Sequence, residues 1–186
     1  ILHEEIRDEF LEMLKQAVEA LKLGDGLESS TDVGPLVNEG QIKTVDDYVK
    51  IGKEEGATLF TGGEPFEDDA TKNGFFYLPT VFTDVEPEMR IAREEIFGPV
   101  LSVLTVSEWD EAVRVHNNTD YGLSSALYTQ DINLSFRAME ELIAGITYIN
   151  APTIGAECHM PFGGCKETGN GHREGGWGPY EFFTET

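Results

Sequence analysis

Two stretches of this sequence bring together residue types that could do chemistry. The first is Arg93-Glu94-Glu95-Ile96-Phe97-Gly98-Pro99-Val100, two acids beside an aromatic ring and a Gly-Pro turn. A carboxylate can accept two hydroxyl hydrogen bonds at once, and a nearby ring can pack on a flat heterocycle, so the segment suits a polyol that carries such a ring. The same residues also read as solvated acids beside a core phenylalanine, because exposed acids are common in this chain. The second stretch is the glycine-rich run from Pro161 to Gly175. Its glycines permit tight turns and close backbone approach. Lys166 does not close a GxxxxGK[ST] phosphate loop, and Gly169-Asn170-Gly171 has neither the spacing nor the preceding strand of a dinucleotide fingerprint. Cys158, His159, Cys165 and His172 do not form a recognised zinc knuckle, since adjacent ligands rarely close a tetrahedron. No metal is expected, and the cysteines read as small buried hydrophobes.

Elements that could position these residues follow from periodicity. Ile6, Phe10, Met13, Leu14, Ala17 and Leu21 recur at helical spacing, so residues 4–23 should form an amphipathic helix with that stripe inward. A second helix should start at Asn38, with Gln41 as its capping-box partner, face inward through Ile42, Val45, Val49 and Gly52, and end at Gly56. Strands are predicted at 57–61, 75–83, 101–106, 124–129 and 146–150. Pro79 points to an edge or irregular strand, and Leu101–Val106 looks buried. Helices capped by Ser107 and Asp131 should separate the last three strands, the second with Ile132, Phe136, Met139 and Ile143 inward. This alternation predicts an α/β fold, a mainly parallel sheet flanked by helices, in a single domain over residues 1–186.

Composition narrows the function. A hydrophobic fraction of 40% is ordinary for a globular domain, and no apolar run reaches the length of a membrane span. Thirteen Lys and Arg against 35 Asp and Glu give a net charge of -22, which argues against nucleic-acid binding because phosphates need a basic patch. The acids are spread over the whole chain, the pattern of a surface adapted to high salt. The start, Ile1-Leu2-His3, has no secretory features and no initiator Met, which suggests a piece of a longer protein. A reducing, cytoplasmic setting with free thiols is expected.

Taken together, Glu94–Val100 and the later Pro161-Phe162-Gly163-Gly164-Cys165-Lys166-Glu167-Thr168-Gly169 resemble the aldehyde dehydrogenase superfamily. Collinear matches at Asp32–Val37, Gly74–Val81, Asn118–Ser124 and Gly145–Asn150 extend the resemblance over essentially the whole chain. It implies the C-terminal part of the catalytic domain of an enzyme that oxidises an aldehyde to a carboxylate with NAD or NADP. In that family a cysteine thiolate attacks the aldehyde, hydride passes to the nicotinamide, and the thioester is hydrolysed. The resemblance places the nucleophile just upstream of Ile1 and the general-base glutamate further upstream. No catalytic residue is therefore expected in this chain, which should be inactive alone.

The resemblance also implies roles for individual residues. Glu95 corresponds to the acid that binds the nicotinamide ribose, and Phe97 to the aromatic packed beside it. Asn150, Ile154 and Phe162 fall in segments that line the aldehyde funnel, and Lys166 falls in a structural turn. The segments Thr153–Glu157, His159–Gly164 and Gly169–Glu174 are most similar to the semialdehyde branch of sugar-acid oxidation. The parent is expected to bind a small-molecule aldehyde and to be a homo-oligomer, with no nucleic-acid or membrane partner. The alternative is a non-catalytic, partner-binding module encoded as a separate chain.

Overall fold

A short strand, β1 (Leu2–His3), opens the computed structural model, which describes residues 1–68 and 71–185. One 3-10 turn (Glu4–Ile6) leads into α1 (Arg7–Glu19), and α2 (Glu39–Glu54) follows a turn-rich loop. Next come β2 (Thr58–Thr61), β3 (Thr80–Thr83), the single-turn α3 (Arg90–Arg93), β4 (Val100–Ser102) and β5 (Thr105–Val106). These belong to one compact unit, Ile1–Trp109; a second unit starts at Asp110, one residue into α4 (Trp109–Asn117). The second unit continues with β6 (Ser124–Leu127), α5 (Ile132–Glu141), β7 (Ile146–Ile149) and α6 (Gly178–Phe183).

In the first unit β3 lies between β2, antiparallel to it, and β4, parallel to it, while β1 pairs in parallel with β5. In the second unit β6 and β7 pair in parallel with α5 as the crossover. Three of these four pairings are parallel, and helices cover the strands, so the fold is α/β.

Strand alternation explains the core of the first unit. All four residues of β3 are buried. Val81 packs with Leu11 of α1 and with Val103, while Phe82 packs with Val45 and Val49 of α2 and with Ile91 and Ile96. One strand therefore carries a helix on each face.

Several sequence expectations need correction. The strand expected over 75–83 contracts to Thr80–Thr83 and is the central strand of its sheet, not an edge. Pro79, which has no N–H to give to a ladder, lies just before it, and Thr80 donates to the Pro99 carbonyl. The expected strand 101–106 divides at Val103–Leu104, where the backbone exchanges one partner strand for another: β4 pairs with β3, and β5 with β1. Of the stripe expected on the first helix, Leu14 packs inward beside Leu11 and Val18, whereas Phe10 and Met13 of α1 are exposed, as are Ile6 just before it and Leu21 just after it. In α5 the buried positions are Ser135 and Ala138, and Ile132, Phe136 and Met139 are exposed, as is Ile143 just beyond the helix. Periodicity identifies an apolar face, but which face is covered depends on the neighbours available to it.

Helix starts agree better with local chemistry. Asn38 caps α2 by accepting from the Gln41 backbone N–H at 2.9 Å, and Asp131 caps α5 by accepting from that of Asn133 at 2.7 Å. Val45, Val49 and Gly52 are buried along α2, as its periodicity predicted. Among the described residues no helix is long and apolar enough to cross a membrane.

Candidate functional site

The segment after α3 sorts its residues by direction. Glu94 accepts two hydrogen bonds from the Arg90 guanidinium, both 2.8 Å, and a third from the Tyr48 hydroxyl at 2.7 Å. The Arg90 guanidinium also lies over the Tyr48 ring, 5.4 Å from its centroid. Arg90 first, and Tyr48 second, hold the Glu94 carboxyl down at about 2, well below the usual carboxylate range. The hydrogen bond to Glu94, and after it burial, in turn push the Tyr48 phenol up. Glu94 is thus occupied in tying α3 to α2.

Glu95 differs: it is exposed and, among the described residues, has no side-chain hydrogen bond or ion pair. Ile96 turns into the core, and Phe97 turns out again, 76% exposed, with a left-handed φ of 56°. The reading of Phe97 as a core residue therefore fails. A non-glycine residue in that conformation costs on the order of 1 kcal/mol and persists only where its surroundings hold it. Two contacts with α2 do so. A Cβ at Gly98 would lie 2.4 Å from Val45 Cγ2, so the backbone presses directly on the helix. One turn earlier, the Gln41 side-chain amide donates to both the Ile96 and Phe97 carbonyls at 3.0 Å. The capping box predicted at this helix is thus only half formed, because the Gln41 side chain is spent on the loop.

The second unit holds the remaining candidates. Asn150, at the end of β7 with φ 53°, uses both ends of its side-chain amide on Thr129. Its Oδ1 accepts from the Thr129 N–H at 2.8 Å, and its Nδ2 donates to the Thr129 carbonyl at 2.9 Å. This clasp locks together the chain beyond the C-terminal ends of β6 and β7. Phe162 lines a concavity of about 450 Å³ with Ile146 and Tyr148 of β7, Met160 and Pro161. Ile154 is exposed and outside that lining. Phe162 also forms an antiparallel bridge with Glu174, folding the glycine-rich run back on itself.

The turn that follows docks on the N-terminal ends of β6 and β7. A Cβ at Gly145 would stand 1.8 Å from the Gly163 carbonyl oxygen, so only glycine permits that approach. Lys166 Nζ donates to the carbonyls of Asn117, the last residue of α4, and Thr119, at 2.8 and 2.9 Å. A cation there also complements the helix dipole. Cys165 is half-buried against Gly122, whereas Cys158 is exposed, contrary to the expectation that both are buried. Sequence reasoning also missed Asn117, whose side chain donates to the Glu141 carbonyl and accepts from the Ile143 N–H across the end of α5. Its only signal was a polar residue at a helix end.

A sequence profile described as the aldehyde dehydrogenase family matches residues 1–186. The chain belongs to that family. Among its relatives is the alpha-ketoglutarate semialdehyde dehydrogenase of Haloferax volcanii, 42% identical over 99% of this chain and 38% of that protein. The alpha-ketoglutaric semialdehyde dehydrogenase of Bacillus subtilis is 36% identical over the same shares, and the betaine aldehyde dehydrogenase of Brucella anthropi 41% identical over 94% and 36%. The semialdehyde branch suggested by the sequence is thus represented among these relatives. Of solved structures, the betaine aldehyde dehydrogenase of Staphylococcus aureus in complex with NAD+ matches with a TM-score of 0.91 at 34% identity, over 97% of this chain and 36% of that one. The NAD+ complex of the Bacillus cereus aldehyde dehydrogenase matches at 0.90 and 38%, over 98% and 36%. The chain therefore spans 36–38% of the length of these relatives.

Proposed function

We propose that this chain is the C-terminal part of the catalytic domain of an NAD(P)-dependent aldehyde dehydrogenase that oxidises a semialdehyde to a carboxylate. The observation that carries the reading is the division of labour between the two acids: Glu94 is tied down by Arg90 and Tyr48, and Glu95 is left exposed beside an outward Phe97. A free carboxylate next to an exposed ring fits the ribose and nicotinamide of a dinucleotide, because it can accept the two ribose hydroxyls while the ring excludes water from one side. When bound, the dinucleotide would take hydride from the aldehyde carbon. Glu95 and Phe97 would orient it, and Asn150, Ile154 and Phe162 would border the aldehyde path, with Asn150 held by its clasp to Thr129. The nucleophilic cysteine and the base belong, on this reading, to sequence outside these residues, and the 186-residue chain is inactive alone. The semialdehyde preference is supported by the two alpha-ketoglutarate semialdehyde relatives. We further read the parent as a cytoplasmic homo-oligomer.

The test compares the 186-residue chain with the parent reading frame that contains it. The parent should form NADH or NADPH in the presence of a dicarboxylic semialdehyde, and the chain alone should not. Turnover by the isolated chain, or none by the parent with any aldehyde, overturns the proposal. The exposed stripes on α1 and α5 favour a second reading, a module that binds another polypeptide. The DNA immediately upstream distinguishes the two: an in-frame Gly-Gln-x-Cys supports the enzyme, and a genuine start codon there supports the module.

A further inference from the structure

We infer that Gln41 is a positioning residue for the cofactor-facing lip, acting through the carbonyls of Ile96 and Phe97; this rests on the function proposed above. Three observations converge on it. The Gln41 side-chain amide carries two hydrogens and meets two acceptors, each at 3.0 Å, on successive residues of the loop. Those residues separate and include the outward side chains: Ile96 is the buried anchor between Glu95 and Phe97, and Phe97 is the one held in left-handed backbone. Val45, one helical turn along α2, presses on Gly98, so the loop is gripped at adjacent points on one helix face. The cap of α2 does not need this side chain, since Asn38 is satisfied by the Gln41 backbone N–H.

A donor facing two carbonyls resists rotation of the 96–97 and 97–98 peptides. Such a rotation would swing Phe97 out of its left-handed well and carry Glu95 with it. Loss of the grip leaves the loop attached by Ile96 but free to sample other directions for the two side chains that would face the cofactor. The effect should therefore fall on cofactor binding and not on the aldehyde.

The experiment uses two variants. Gln41→Met keeps length and volume but removes the donor. Gln41→Glu keeps the shape and, when ionised, sets an acceptor against two acceptors. In the 186-residue chain, the backbone amides of residues 95–98, 100 and 101 should exchange hydrogen about tenfold faster in Gln41→Met, and faster still in Gln41→Glu. In the parent, KM for whichever of NAD and NADP the wild type uses should rise about tenfold in Gln41→Met and more in Gln41→Glu, while KM for the aldehyde stays within about twofold. A residue that only fills space would leave Gln41→Met equal to wild type in both measurements. An active parent in which both variants keep wild-type cofactor KM and exchange overturns the inference alone. A wild-type parent that reduces neither NAD nor NADP overturns the proposed function, and this inference with it.

Discussion

The Glu94 carboxylate takes three hydrogen bonds, two from Arg90 and one from Tyr48, and so stays ionised well into acid. Its folded-state value of about 2 lies below the ordinary 4.5, so the interaction is fully present above the ordinary value and is lost as pH falls through about 2. The pair is exposed, which keeps its contribution small and sensitive to salt. Glu94→Gln should therefore lower Tm modestly at neutral pH. The gap from wild type should close as pH falls from about 4.5 to about 2, and should shrink in molar salt; thermal melts across that range check it. An unchanged gap at the acid end would mean that the charge contributes nothing to the difference. Glu95 makes no such contacts among the described residues, so Glu95→Gln should leave the melts as they are. In the parent it should act on the cofactor KM.

At the level of elements, the second unit is held by loops that carry side-chain and backbone clasps. The Pro-Phe-Gly-Gly turn lies on Gly145 just before β7, and Lys166 covers the end of α4 from above the same turn. Gly145→Ala would place a methyl group where the Gly163 carbonyl stands, and neither backbone can yield without breaking the turn. That substitution should cost more than about 3 kcal/mol or prevent folding of this unit. Gly34→Ala, where nothing lies within 4 Å, should stay within about 0.5 kcal/mol in the same denaturant titration. Equal effects at the two positions would contradict the close approach. Helices α1 and α5 show the opposite case, each with a well-formed apolar stripe that the described residues leave exposed.

Over the whole molecule the dominant quantity is the net charge of -22. Thirty-five acids on a chain of this size repel one another in dilute buffer, and the screening length falls from about 10 Å at 0.1 M salt to about 3 Å at 1 M. Tm should rise by at least several degrees between these conditions in KCl, with the largest gain at the low-salt end. A flat or falling Tm would remove the reading of a salt-adapted protein.

Local chemistry was legible in the sequence. Asn38 and Asp131 start helices because their short side chains satisfy free N–H groups two or three residues away, and this depends on no distant partner. The β6-α5-β7 unit followed from alternating period, and the motifs pointed to the family before any coordinates. What depends on distant partners was not legible. Which stripe of α1 faces inward was decided by Val81 and Val103, both far along the chain. The expected strand at 101–106 was split because β3 and β1 compete for successive stretches of it. The same holds at the site. Glu94 and Glu95 are the same residue type in adjacent positions, and only Arg90 and Tyr48 decide which of them remains free. The sequence alone determined that this lip of two acids, an aromatic and a Gly-Pro turn is encoded here. Its direction was set by α2, where Gln41 and Val45 grip a backbone more than fifty residues away, because hydrogen-bond partners and packing faces are chosen in space and not along the chain.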